Sequence, residues 1–139
     1  MDNIARIIDA NLNRAKEGLR VCEEVSRFIL EDKILTAQLK RVRHKISSLG
    51  AAFYPVDKLL GRRKVATDAG RLNSSGELKR RCCGDIFRAN LQRVKESLRV
   101  LEEFGKLKSR RAALDFKRAR YKVYEIEECS FKKISSLSC

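Results

Sequence analysis

The sequence predicts an all-α protein: a four-helix bundle of two repeated helical hairpins, related by an internal pseudo-two-fold, with a long central loop. Three observations lead there. Residues 10–24, ANLNRAKEGLRVCEE, recur at residues 89–103 as ANLQRVKESLRVLEE, with eleven of fifteen pairs identical at a shift of 79. LKRVRHKI at 39–46 recurs as FKRARYKV at 116–123, now at a shift of 77. Apolar residues keep helical spacing through all four segments, in a chain with one proline and 36% charged residues.

The first helix is expected from about Asn3 to Leu30, where Ile8, Leu12, Ala15, Leu19, Cys22, Val25 and Ile29 recur at intervals of three and four. Glu31-Asp32 breaks it. A second helix carries Leu35, Leu39, Val42, Ile46 and Leu49 on one stripe and should stop at Gly50. Hairpin 1 therefore spans about residues 3–50. Residues 51–84 hold Pro55, Gly61, Gly70 and SSG at 74–76 and read as a connecting loop. Within it, AAFYPVDKLL suits a short helix with proline near its first turn. Hairpin 2 runs from about 85 to 131. Asp85 is placed as the cap of a helix burying Ile86, Leu91, Val94, Leu98, Leu101 and Leu107. The last helix, from about Arg110 to Phe131, carries Leu114, Phe116, Ala119, Val123 and Ile126, and residues 132–139 form a tail.

The 139 residues make one domain, 1–139, large enough for a hydrophobic core. No run of about 18 apolar residues offers a membrane span. MDNIARIIDA lacks the pattern of a secretory signal, so the cytoplasm is the expected compartment. Five cysteines, an odd number, argue against a disulfide framework. Adjacent Cys82-Cys83 and a lone histidine, His44, exclude a Cys/His metal site. The net charge of +14 points to anionic partners. Residues 51–84 are the most one-sided stretch, with 8 basic against 3 acidic side chains.

Packing would preserve the apolar positions of a repeat, yet here the charges and the asparagine persist as well. On a helical wheel of roughly 100° per residue, Ala15, Gly18, Cys22 and Val25 fall within about 40° of Asn11, and Arg14 about 60° away. Asn90 and Arg93 take the same places in the second copy. Two buried amides can pair to fix register, but two arginines brought together need anions. Glu23, Glu24, Glu102 and Glu103 could supply them in a closed network, or hold Mg²⁺ instead. Neither a Walker A loop nor G-x-G-x-x-G is present, so phosphate handling here would fall to arginine forks.

RIIDANLNRAKEGLRVCEEVSRFILED, LKRVRHKI, TDAGR, ANLQRVKESLRVLEEFGKL and FKRARYKVYEIE together resemble the small helical hydroxymethylpyrimidine-phosphate kinases of thiamine biosynthesis. These stand alone or are fused ahead of thiamine-phosphate synthase. The resemblance implies phosphorylation of 4-amino-5-hydroxymethyl-2-methylpyrimidine phosphate to the diphosphate, with ATP as co-substrate and Mg²⁺. It implies catalytic roles for Arg14, Arg93, Arg63 and Asp68. Substrate or phosphate binding falls to Asn11, Asn90, Arg43, Arg120 and Lys106, and metal binding to Asp68, Glu23 and Glu102. One departure stands out. The family loop tends to read Arg-Asp, three residues, then Asp-x-Gly; here Lys64 follows Arg63, while Asp68 and Gly70 fit. The implied partners are the pyrimidine phosphate and ATP, with no membrane. A homodimer, or docking onto thiamine-phosphate synthase, stays open. An RNA-binding module would suit the charge, but only 6% of residues are aromatic, which disfavours nucleic acid.

Overall fold

The computed structural model describes residues 2–53, 61, 63–71 and 79–137. Four helices account for most of them: α1 Asp2–Glu24, α2 Lys33–Phe53, α3 Cys83–Gly105 and α4 Arg110–Ser135. No strand occurs among the described residues. α1 packs most extensively on α3, each hairpin closes α1 on α2 and α3 on α4, and α2 meets α4. α1 and α3 run antiparallel: Gly18 lies against Asn90, and one turn on the Cys22 thiol reaches the Phe87 carbonyl at 3.5 Å. The stripes predicted from spacing make one core in which Ala15, Leu19, Cys22, Leu39, Ile46, Val94, Leu98, Phe116 and Val123 are fully buried. Burial pushes the Cys22 thiol well above its ordinary range, as suits a small core hydrophobe. Cys22, Cys83 and Cys129 are free thiols. Cys82 is disulfide-bonded, so the expectation drawn from the odd cysteine count gives way at that position.

Several boundaries differ from expectation, each for a local reason. α1 ends in a π-turn, Val25–Ile29, whose wider winding takes Ile29 off the buried stripe; Ser26 is buried instead and Ile29 is half exposed. Glu31 then turns the chain with a positive φ of 53°. Asp32 starts α2 by accepting from the Leu35 N–H at 2.9 Å. α2 does not stop at Gly50 but continues to Phe53. Gly50 is there for space: a Cβ would meet Leu12 Cδ2 at 2.9 Å. α3 starts at Cys83, two residues before the expected cap. Asp85 sits in its first turn, where it accepts from the Arg81 N–H at 3.2 Å and pairs with Arg88. Ser109 caps α4 by accepting from the Ala112 N–H. Leu107 in the turn before it, and Leu114 on α4, are exposed rather than buried. α4 runs on to Ser135, into the expected tail. The short helix expected in AAFYPVDKLL falls largely at residues 54–60, outside the described residues, and SSG at 74–76 lies outside them too; residues 51–53 are the last turn of α2.

Candidate functional site

α1 presents two faces. The inner one is apolar; along the flank run Asn3, Arg6, Ile7, Ala10, Asn13 and Arg14, at the three-and-four spacing that puts them on one side of the helix. The connecting segment returns to this flank. Val65–Thr67 and Ala69–Arg71 form two 3₁₀ turns, and the Asp68 carboxylate between them accepts from the Gly70 N–H at 2.9 Å. Between flank and segment lies a cleft of about 480 Å³, with Arg63, Lys64, Val65 and Asp68 along its far wall.

What anchors the segment is an ion pair across 54 positions of sequence. Asp9 is 7% exposed and takes the Arg63 guanidinium as a fork, Nε to Oδ2 at 2.6 Å and Nη2 to Oδ1 at 2.9 Å. Asn13 Nδ2 donates to the same Oδ1 at 3.3 Å. The hydrogen bonds that Arg63 donates to Asp9 hold its guanidinium above its already high range, against the opposing effect of burial, with the charges of Asp9 and Glu17 adding to them. Arg14 reaches in from α1: its Nη2 lies 3.5 Å from where a Cβ on Gly70 would stand, beside Asp68 Oδ1 at 3.4 Å. A Cβ at Gly70 would therefore stand in ordinary contact with both the arginine and the aspartate. Asn11, 6% exposed, also lines the cleft; its Nδ2 donates to the Ile7 carbonyl at 2.8 Å, while its Oδ1 has no protein donor among the described residues.

The structure thus brings together Arg14, Arg63, Asp68 and Asn11. It does not bring the others to this cleft. Asn90 repeats the Asn11 contact within α3, Nδ2 to the Ile86 carbonyl at 2.8 Å, so the two amides serve their own helices and do not pair with each other. Arg93 is exposed on α3 and does not line the cleft. Lys106 pairs with Glu103 at 2.7 Å at the end of α3. Arg43 and Arg120 point inward to carboxylates. Arg43 forks onto Glu23 at 2.5 and 3.1 Å, and Arg120 gives Nε and Nη2 to Glu102 at 3.1 and 2.9 Å. Those glutamates are 4% and 5% exposed and form buried pairs with Arg43 and Arg120, not the network with Arg14 and Arg93 that the sequence left open. Their carboxylates are occupied by guanidinium, which corrects the metal role expected for Glu23 and Glu102. No group of three or more potential metal-binding side chains forms among the described residues.

Asp9, Arg6 and Asn13 escaped the sequence reading, because it looked for what the repeat keeps. At the shift of 79, Asp9 falls on Arg88, an opposite charge, so the repeat hides it. The available signal was a carboxylate at the edge of an apolar stripe, one turn before Asn13.

No solved structure matches this chain. Among curated relatives, the thiamine-phosphate synthase of Synechocystis sp. is 42% identical over 125 residues, 89% of this chain and 35% of that protein. That of Thermosynechococcus vestitus is 40% identical over 126 residues, 90% of this chain and 34% of that protein. That of Prochlorococcus marinus is 35% identical over 136 residues, 98% of this chain and 38% of that protein. The chain spans about a third of the length of these relatives. The ThiD2 family model matches residues 6–129, most of the sequence, and the chain belongs to the ThiD2 family.

Proposed function

We propose that the protein acts in thiamine biosynthesis as an ATP-dependent kinase, converting 4-amino-5-hydroxymethyl-2-methylpyrimidine phosphate to the diphosphate. The observation that carries this reading is the meeting of Arg14, Arg63 and Asp68 with Asn11 in one cationic cleft, on the flank of the most specific repeated helix. Membership of the ThiD2 family and the names of the relatives support the same reading.

The reaction asks little of the protein beyond placement. The acceptor is a phosphate monoester with a second pKa near about 6, so its attacking oxygen is already deprotonated at neutral pH and no general base is required. That oxygen bonds to the γ-phosphorus of ATP, the bond from that phosphorus to the bridging oxygen breaks, and ADP leaves with the electron pair. Arg14 and Arg63 neutralise the phosphates as they approach in line. Asp9 is a positioning residue: it holds the Nε side of Arg63 and leaves the remaining N–H donors of the fork for the ligand. Asn11 offers its Oδ1 to the pyrimidine amino group. Asp68 is the cleft carboxylate outside any guanidinium fork, and one or two carboxylates suffice for Mg²⁺ when substrate phosphates complete its shell. Mg²⁺ held there would supply charge neutralisation for the phosphates. Lys64 adds a further cation to the far wall of the cleft.

The test is a purified-protein assay with the monophosphate and the unphosphorylated alcohol under identical Mg-ATP. The monophosphate should be converted and the alcohol should not, since the alcohol lacks the phosphate dianion that Arg14 and Arg63 would hold. Arg63→Ala should lower turnover by on the order of 10³, and Arg63→Lys should restore only part of it. A folded protein that makes no diphosphate would remove the kinase reading. A second reading would then stand: a domain that docks onto a synthase, favoured by the match of this chain to only a third of proteins carrying that name.

A further inference from the structure

The repeated octapeptides contain a pattern that neither the bundle nor the cleft uses. In each, the second arginine turns inward to a buried glutamate, and the arginine two residues earlier turns out. Arg41 and Lys45 on α2, with Arg118 and Lys122 on α4, line a groove of about 570 Å³ between those two helices. Val42 and Ala119 lie at its base, and it shares no lining residue with the α1 cleft. All four cations are identical between the two copies, Arg41 with Arg118 and Lys45 with Lys122.

Packing gives no reason to duplicate exposed cations. Arg41 and Lys45 have no ion-pair partner among the described residues. Arg118 meets Asp115 at 3.0 Å and Lys122 meets Glu125 at 3.3 Å, both exposed pairs between residues three apart, which contribute little. Asp115 is the single carboxylate lining the groove. Like charges gathered this closely destabilise the empty state and favour a dense anion.

We propose that this groove is a second anion site, separate from the cleft, that binds a short oligophosphate. Each helix contributes an i,i+4 pair, so the charged stretch is only about 6 Å long on each wall. Single-stranded nucleic acid is tracked over roughly 4–16 nucleotides and gripped by several stacking rings, whereas no Phe, Tyr or Trp lines this groove and its one ring is the His44 imidazole. A second copy of the chain would set cations against cations. A peptide carboxylate brings one charge per side chain, whereas a phosphate brings about 1.5 to 2.

The experiment titrates the chain with tripolyphosphate, a single-stranded RNA oligonucleotide and a polyglutamate peptide at about 0.15 M ionic strength, by calorimetry and by amide chemical shifts. Tripolyphosphate should shift the amides of Val42 and Ala119. Arg41→Ala with Arg118→Ala should weaken that site at least about tenfold, what one or two lost charge-assisted hydrogen bonds amount to. Circular dichroism should be unchanged, because both side chains are exposed. Arg63→Ala should leave the Val42 and Ala119 shifts intact, so the inference stands or falls independently of the kinase assay. Three results would overturn it: a double variant that titrates like the parent, loss of these shifts in Arg63→Ala, or RNA or peptide binding the same amides more tightly than tripolyphosphate.

Discussion

Hairpin 1 and hairpin 2 are written with nearly the same residues and end with different surfaces. Two kinds of interior contact recur in both. Asn11 and Asn90 each donate to the carbonyl four residues back, and Glu23 and Glu102 each take an arginine from the second helix of their own hairpin. Of the charges that the repeat keeps, Glu23, Glu102, Arg43 and Arg120 are part of the interior, while Arg14, Arg20, Arg93 and Arg99 stay exposed. What differs is the flank of the first helix. Hairpin 1 has Asp9, which docks Arg63 and folds the connecting segment over α1. Hairpin 2 has Arg88 at that place, tied to Asp85 in its own helix, and the pocket of about 300 Å³ beside it is walled by α4 residues Glu127, Ser130, Phe131 and Ile134 rather than by the connecting segment. Duplication built the bundle, and departure from duplication built the cleft.

The largest effect should come from breaking an interior pair in either hairpin. Glu23→Ala or Glu102→Ala strands a largely buried guanidinium, and each should cost about 3–5 kcal/mol in chemical denaturation. Replacing both partners of one pair with apolar residues of similar volume should recover most of that. A loss below about 1 kcal/mol in either single variant would show that the shared charges are ornaments of the surface after all.

Gly18 and Ser97 occupy equivalent positions and should respond unequally to alanine. A Cβ at Gly18 would stand 2.8 Å from both the Asn90 carbonyl oxygen and Val94 Cγ2, so Gly18→Ala forces α1 from α3. The cost should be about 1–3 kcal/mol, less up to about 1 kcal/mol regained in helix propensity. Ser97→Ala removes only a hydroxyl and should stay within about 1 kcal/mol. Equal effects in thermal melts would mean the two sides of the α1–α3 contact are interchangeable.

The caps of the second helices also differ, and pH reads the difference. Asp32 caps α2 and Ser109 caps α4. The Leu35 N–H, then Lys133, hold the Asp32 carboxyl below its ordinary value of 3.8. A carboxylate with a lowered folded-state pKa stabilises the fold fully above the unfolded value, and that stability is lost as pH falls through the folded one. Stability should therefore decline below about pH 4, and Asp32→Asn should flatten part of that decline at a cost of about 0.5–2 kcal/mol near neutrality. Ser109→Ala should cost about 1 kcal/mol at every pH, because a hydroxyl does not titrate.

The smallest expected change in stability tests the cleft itself. Asp9→Asn should leave the melting temperature within a few degrees while loosening the connecting segment, seen as faster amide exchange at Val65–Gly70. Arg88→Gln, the equivalent position in hairpin 2, should not alter that exchange. If neither variant changes it, Asp9 does not hold the segment.

The sequence by itself determined the helices, the repeat and the apolar stripes, because periodicity of 3.6 residues is a local property that any window of the chain displays. It also singled out Arg14, Asn11, Arg63 and Asp68. It left open whether the repeated glutamates face arginine or metal. It placed Ile29, Leu107 and Leu114 in the core, because a wheel assumes one unbroken helix and has no knowledge of a π-turn or of where a partner helix ends. Tertiary structure alone decided that Arg63 meets Asp9, that Arg43 turns in while Arg41 turns out, and that Asn11 lines a cleft while Asn90 does not. These choices depend on which neighbour stands within about 3 Å of a donor once the hairpins are docked, and residues 54 apart in sequence share that neighbourhood only in the folded chain.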